Sequence, residues 1–416
     1  MKVEEVPQDL KYFKRGLVRD QNYALDSEGK YQKVWSDGWD PKNDALDVAL
    51  EDDKDNEERS RMELYEPEEF HGFELNLDHR SASHCENGVI STMLRFYGIE
   101  LSEPMAFGLA SGLFFAHIPF IKMQGMPVTA FRTLPGTLFK RIMKLYGIKT
   151  KTLRFLSEEK AMKTLDKVLL GQKIPVACVV GIYDLPYYPP EYRMHFNGHN
   201  ICIIGKDEER DVYSVIDPII TEKATISGAL LRKVRFAKGG SYPPMGQMYW
   251  VKSVPKELPE LKPMILKSIR KTCWFMVSQP GFIKFSGANG ILYLSRRIRK
   301  WEQKMGARKA RQNLVQVIRM LEEIGTGGAG FRFVYAAFLQ EAAEKTGIGC
   351  LNDYSMRLTE IGDLWREFAY KASRIYKRRE GENYTYNDLG DLLQTIGERE
   401  KAFFQDLDRT AKEYLK

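Results

Sequence analysis

Cys85, His199 and Asp217 are the residues of this sequence whose types and setting could do chemistry together. A cysteine acts as a nucleophile when its thiol is held as thiolate, a base touches it, and a third group orients that base. Cys85 opens a segment with apolar residues at 89, 90, 93, 94 and 97, a helical spacing, and Gly98 supplies the stop. The partial positive charge of a helix N-terminus favours thiolate over thiol at that place. His199 stands at the entrance of a β-rich run, 200–205, and Asp217 closes the next run, 212–216, where Pro218 ends the ladder. The charged turn 206–211 joins the runs as a hairpin, so His199 and Asp217 are expected at one end of a sheet. Singly these are weak signals: a cysteine before a helix is more often core, and Asp-Pro is a common turn. Their combination points to a thiol nucleophile with an oriented base, that is, to acyl chemistry.

The elements that must position these residues fall into two textures. Between about residues 76 and 258 the sequence mixes helix and strand signals. A buried-strand run covers 174–183, another strand is expected over 247–254, and Ser102 reads as the N-cap of a helix with Glu103 in its first turn. Beyond Lys262 the periodicity is helical, with segments at 307–324, 331–346, 354–377 and 386–415, and the Pro-containing stretch 254–263 marks the boundary. Residues 1–75 are polar and poorly periodic. Within them 42–69 holds twelve carboxylates against four basic residues, which reads as an extension on the surface.

A chain of 416 residues with 43% hydrophobic and 29% charged residues buries a core and is not disordered as a whole. Five cysteines without a CxxC pair argue against a disulfide framework or a structural zinc site, and Cys178 and Cys202 sit in apolar runs where a small thiol is core. The N-terminus lacks the apolar region of a signal peptide, and no run approaches the ~18 apolar residues of a membrane span. A reducing cytoplasm is the expected address, and no membrane is expected as a partner. The net charge of +7 does not by itself call for nucleic acid.

Two groups of residues carry a family resemblance. His84-Cys85-Glu86-Asn87, then Gly98-Ile99 with Leu101-Ser102-Glu103, Phe107-Gly108-Leu109 and Ser111-Gly112-Leu113, resembles the N-terminal domain of the butirosin-biosynthesis (BtrH-like) acyltransferases. His199 with Asp217-Pro218 is similar to the bacteriocin-processing cysteine peptidases as well, and Cys, His, Asp is the papain-like order. Gly325-Thr326-Gly327-Gly328 with Phe331-Arg332 and the run from Tyr335 to Ala343 resembles the helical domain that usually follows. The resemblance implies an α+β chain: a papain-like cysteine-protease fold over 76–258, an N-terminal extension over 1–75 and an all-helical domain over 259–416. It implies transfer of an acyl group from the phosphopantetheine thioester of an acyl carrier protein to a small amine, through acyl-Cys85, in specialised-metabolite assembly. Cys85, His199 and Asp217 would be the catalytic triad. The protein itself would need no bound cofactor.

The oxyanion donors are less defined. The Cys85 N–H is one candidate. The peptidases place a glutamine ahead of their cysteine where this chain has His79, so His79, His84 and Asn87 are the alternatives for the second donor. The aromatic loop containing Tyr187 and Tyr188 is expected either to contact the acyl group or to pack as structure. Rival readings use the same residues. His195 and His199 with Cys85 would suit a metal only on a helix that the intervening Gly198 and the preceding Pro189-Pro190 disfavour. Residues 267–311 carry twelve Lys/Arg and one acid among interleaved aromatics. They read as a solvated face over a core, as a surface for an acidic carrier protein, or, less well, as a strand-binding surface. A peptidase or amidase shares all the chemistry up to the acyl-enzyme, and a non-catalytic binding module could keep the fold. A homo-oligomer is compatible with the Leu-, Phe- and Tyr-rich helices.

Overall fold

Among the described residues, strands alternate with helices up to Ser253, and the elements from Leu261 on are helices. The computed structural model describes residues 21–26, 28–35, 65–123, 125–188, 193–239, 242–278, 284–377 and 383–415. In chain order its first elements are β1 (Gln21–Leu25), β2 (Tyr31–Trp35), β3 (Phe73–Glu74), α1 (Cys85–Phe96), α2 (Glu103–Leu109), β4 (Leu113–Met123) and β5 (Met126–Arg132). Then come α3 (Thr137–Leu145), β6 (Lys149–Leu153), α4 (Glu158–Gln172), β7 (Val176–Val180), β8 (His199–Asp207), β9 (Val212–Ile216), β10 (Ala224–Ser227), α5 (Gly228–Arg235) and β11 (Met248–Ser253). The remainder is helical: α6 (Leu261–Val277), α7 (Gly287–Ile298), α8 (Trp301–Met305), α9 (Ala307–Ile318), α10 (Arg332–Thr346), α11 (Leu351–Lys377) and α12 (Tyr386–Glu413). The architecture is α+β. No helix among the described residues is long and apolar enough to cross a membrane.

Two compact units share the chain. One comprises Glu51–Ala106 and Phe139–Pro259 and contains an antiparallel sheet of order β10-β9-β8-β7-β11-β6, with β3 paired to β8. Its central strands β7, β8 and β9 are buried almost throughout, which is why they read as continuous apolar runs. Helices α1 and α4 both pack on β8. The register sets Val180 opposite His199, Ala177 opposite Cys202, and Cys202 opposite Ile216. Cys178 and Cys202 are core residues of this sheet.

The other unit comprises Met1–Leu50, Phe107–Leu138 and Glu260–Lys416. It gathers α6–α12, the hairpin β4–β5 and the hairpin β1–β2. The β4–β5 hairpin delivers Phe115 and Phe131 to Trp365 of α11, with ring centroids 5.9 and 5.2 Å from the indole. Arg332, fully buried at the start of α10, forms a two-armed ion pair with Glu400 of α12, both arms 2.9 Å long. Helix α9 passes at Ile318 into one π-helical turn, Arg319–Glu323. The segment 325–331 after it has positive φ at every residue except Thr326, which is why it is rich in glycine. Glu322, from the π turn, is buried there and accepts the Ala329 N–H, at 3.3 and 3.4 Å.

The structure corrects several expectations. The elements described over 259–416 are all helices, as expected, but the compact unit that holds them also takes in two hairpins from earlier in the chain. Residues 107–138, expected inside a continuous 76–258 domain, belong with the C-terminal helices. The apolar run of β4 carries no periodicity that separates a buried strand from a helix. The expected extension 1–75 contributes β1–β2, whose Tyr31 N–H donates to the Gln340 side chain of α10 at 2.7 Å, and β3 in the sheet. Most of the acidic stretch, 42–64, lies outside the described residues.

Candidate active site

Helix α1 begins at Cys85 because His84 caps it. The His84 backbone is extended, and its Nδ1 accepts the Asn87 N–H at 3.4 Å. Three further contacts hold this helix start. Both carboxylate oxygens of buried Glu103 accept backbone N–H groups, from Ser83 at 3.0 Å and from His84 at 2.8 Å. The Ala82 N–H donates to the Pro218 carbonyl at 2.6 Å. Gly88, one turn into the helix, lies against Pro218 so closely that a Cβ there would come within 2.3 Å of the proline Cβ. A glycine is therefore required for the helix to reach the end of β9, and the approach brings Cys85 to the strand ends carrying His199 and Asp217.

His199 and Asp217 form a buried pair. The His199 Nε2–H donates to Asp217 Oδ2 at 2.6 Å, and both side chains are almost wholly out of solvent. Asp217 Oδ1 accepts the Ile219 N–H at 3.0 Å, which fixes the carboxylate plane. With Nε2 engaged, Nδ1 is left for Cys85, to which His199 is also hydrogen-bonded. Burial alone would push the imidazolium pKa down. The charges of Asp217 and Cys85 outweigh it and hold the pKa up, at about 10. Cys85 itself is half-buried, so the thiol reaches solvent while the pair behind it does not. The arrangement is a thiol on a helix N-terminus, a charged imidazole against it and a carboxylate orienting the imidazole, which is competent for nucleophilic attack followed by proton return.

Tyr188 and Tyr187 are both buried, the packed alternative of the two expected for this loop. The Tyr188 hydroxyl lies 3.2 Å from both His199 Nε2 and Asp217 Oδ2, so it caps the pair and is not aimed at an acyl group. Tyr187 packs its ring on Tyr188 and Tyr65, with centroids at 5.5 and 6.1 Å. Burial, reinforced by the Asp217 charge, pushes both phenols well above their ordinary range, so they stay protonated. The backbone carbonyls of Pro186 and Tyr188 accept the guanidinium of Arg193, both at 2.7 Å, which ties down this loop. Pro189 and Pro190 lie outside the described residues.

The oxyanion alternatives separate. His79 Nε2 donates to the Asp217 carbonyl at 3.0 Å. Burial lowers its pKa, so the ring is neutral with Nδ1 as an acceptor, and His79 cannot donate to an oxyanion. It anchors the strand end instead, correcting the expectation. His84 is occupied as the cap through Nδ1, which leaves its proton on Nε2. The Asn87 amide is buried, and neither its oxygen nor its nitrogen has a hydrogen-bond partner among the described residues. One neighbour of the thiol went unread in the sequence: Asn200 Nδ2 lies 3.7 Å from Cys85 Sγ. Only its place directly after His199 could have signalled it.

His195 stacks on Tyr183 with centroids 4.0 Å apart. Among the described residues, no three His, Cys, Asp or Glu side chains gather as metal ligands. In the basic stretch, Arg270 and Arg299 pair with Asp408 and Asp391 of α12, and Trp301 is buried.

Comparison with known families bears on the same residues. Residues 229–407 match a model described as a domain of unknown function, DUF4872. That match begins in α5 and includes β11, so it takes in the sheet strand that precedes the helices. No curated protein matches the chain. Residues 84–218 match the model of the butirosin biosynthesis protein H N-terminal domain, a span that contains Cys85, His199 and Asp217. Residues 84–218 are thus similar to the butirosin biosynthesis protein H N-terminal domain, and residues 229–407 to the DUF4872 domain.

Proposed function

We propose that the protein is a cysteine-dependent acyltransferase that moves an acyl group from a carrier-protein thioester to an amine. The observation that carries this reading is the buried His199–Asp217 pair set against a half-exposed Cys85 at a helix N-terminus. The family match to a butirosin biosynthesis protein supports antibiotic-type assembly as the setting. The order of a Cys-led helix followed by strands bearing His and Asp supports a papain-like catalytic domain. The Cys85 thiolate attacks the thioester carbonyl, a C–S bond forms, and the carbonyl electron pair moves to oxygen. Collapse expels the phosphopantetheine thiolate, which takes the proton of the His199 imidazolium. The amine then attacks acyl-Cys85, neutral His199 takes its proton, and the amide leaves as the Cys85 thiolate and the imidazolium are restored. Asp217 holds the tautomer throughout. The thioester already carries the energy of amide formation, so the protein's own tasks are orienting the amine and excluding water.

Intact-mass spectrometry after incubation with a panel of acyl-carrier thioesters tests the reading. An acyl adduct absent from Cys85→Ala and discharged by an amine is the expected result; discharge by water alone would make the protein a hydrolase. The basic stretch 267–311 supports an acidic carrier as donor. Transfer from the carrier then weakens steeply with salt while transfer from a small free thioester does not; equal sensitivity would remove the electrostatic role.

A further inference from the structure

We infer that Asn200 is the side-chain donor of the oxyanion hole, with Tyr249 as the residue that sets its direction. This rests on the acyl chemistry proposed for Cys85, but not on which donor or acceptor that chemistry serves. Asn200 is buried, its Nδ2 lies 3.7 Å from Cys85 Sγ, and the same nitrogen donates to the Gly198 carbonyl at 3.2 Å. Its Oδ1 accepts the Tyr249 hydroxyl at 2.9 Å. A buried phenol beside a carbonyl oxygen can only donate. Burial, with the charges of Glu86 and Cys85 behind it, keeps the Tyr249 proton in place. The amide is thereby prevented from turning over, and its NH2 group is held toward the sulfur.

The distance fits the intermediate better than the resting thiolate. When a thioester carbonyl carbon bonds to Sγ, its oxygen lies roughly 2.7 Å from the sulfur, and an oxyanion donor belongs about 2.7–3.1 Å from that oxygen. A nitrogen 3.7 Å from Sγ satisfies both requirements at once. Nδ2 has two protons, so it can keep its bond to Gly198 while the second turns to the oxyanion. His79 is excluded from this role by its tautomer. The backbone N–H of Cys85, at the start of α1, is the natural second donor. The sheet register brings the clamp together: Tyr249 of β11 pairs with Ala177 of β7, and Ala177 pairs with Cys202 of β8, two residues beyond Asn200. Tyr249 thus reaches the Asn200 amide across the intervening strand β7, on the same face of the sheet.

The test compares two reactions of the same sulfur. Acylation by a small free thioester, followed by mass in a single turnover, passes through a tetrahedral oxyanion; alkylation by iodoacetamide does not. The full-length Asn200→Ala protein is expected to acylate on the order of a hundredfold more slowly than wild type, with its alkylation rate changed less than about threefold. Tyr249→Phe should show the same split with a smaller loss. Equal loss in both reactions, or none in acylation, would overturn the inference, as would a wild type that alkylates but accepts no free thioester. Failure of carrier transfer alone, with free thioester still accepted, would count against the proposed donor and leave the Asn200 result standing.

Discussion

Two ion pairs in this protein are equally buried and are built for opposite ends. In the sheet-bearing unit, His199 and Asp217 share one short hydrogen bond, and the other ring nitrogen of the histidine serves a thiol that reaches solvent. In the helical unit, Arg332 grips Glu400 with two nitrogens and gives its third to the Gly330 carbonyl at 2.8 Å. The Trp365 indole adds a donor to Glu400 at 2.7 Å, and the guanidinium lies over the rings of Phe131 and Trp365. Every donor nitrogen of that arginine has an acceptor, and a guanidinium does not give up its proton. Burial therefore does not mark a reactive pair. What distinguishes the candidate site is a proton that can move and a neighbour to receive it.

The sharpest way to break the comparison is Asp217→Asn. It keeps the shape of the pair but removes the charge that sets the tautomer, and acylation of Cys85 should fall on the order of 10³–10⁴-fold in single-turnover assays. In wild type the imidazolium that protonates the leaving thiol is lost only as pH rises through about 10, so the alkaline limb of acylation lies there. In the variant that limb should move down toward the ordinary histidine range. Next is Arg332→Ala. Leaving Glu400 buried and unpaired should cost about 3–5 kcal/mol of unfolding free energy in urea titrations.

Glu322 sharpens the contrast from the other side, as a buried carboxylate with no such clamp among the described residues. Burial pushes its pKa up from 4.5 to about 7. A carboxyl raised in the folded state costs stability as pH climbs from the unfolded value to the folded one, and the cost is complete above about 7. Glu322→Gln should therefore stabilise the protein by roughly 3 kcal/mol at pH 8 and by less than about 1 kcal/mol at pH 5, read by denaturant unfolding at both pH values. The smallest effect belongs to Tyr188→Phe. Losing its hydrogen bond to the Asp217 carboxylate, at the lower end of the roughly 1.5–3 kcal/mol of a bond to a charged group, should slow acylation about tenfold.

How much of this was legible depends on how far apart in the chain the partners lie. Cys85, His199 and Asp217 could be read because each is announced locally, by a helix start, a strand start and an Asp-Pro strand end. The places of Tyr188 and Asn200 could not, since both depend on which side chains the register brings to one strand end. Glu103 read as an ordinary first-turn acid, yet it is the brace for the residues before Cys85. The β4–β5 hairpin escaped because its apolar residues do not alternate strictly with polar ones. The helix expected over 307–324 ends at Ile318 because the chain widens into a π turn, which side-chain periodicity does not reveal.

The interleaving of the two units has a consequence for synthesis. The β4–β5 hairpin leaves the ribosome well before the helices that cover it, with residues 139–259 of the other unit still to be made. At about 5–20 residues per second, that wait is on the order of ten seconds. Phe115 and Phe131 spend it without Trp365, as an unshielded pair of strands with aromatic faces. Nascent chains halted near residue 259 should therefore depend on chaperones, and the burden should lift once α11 has emerged.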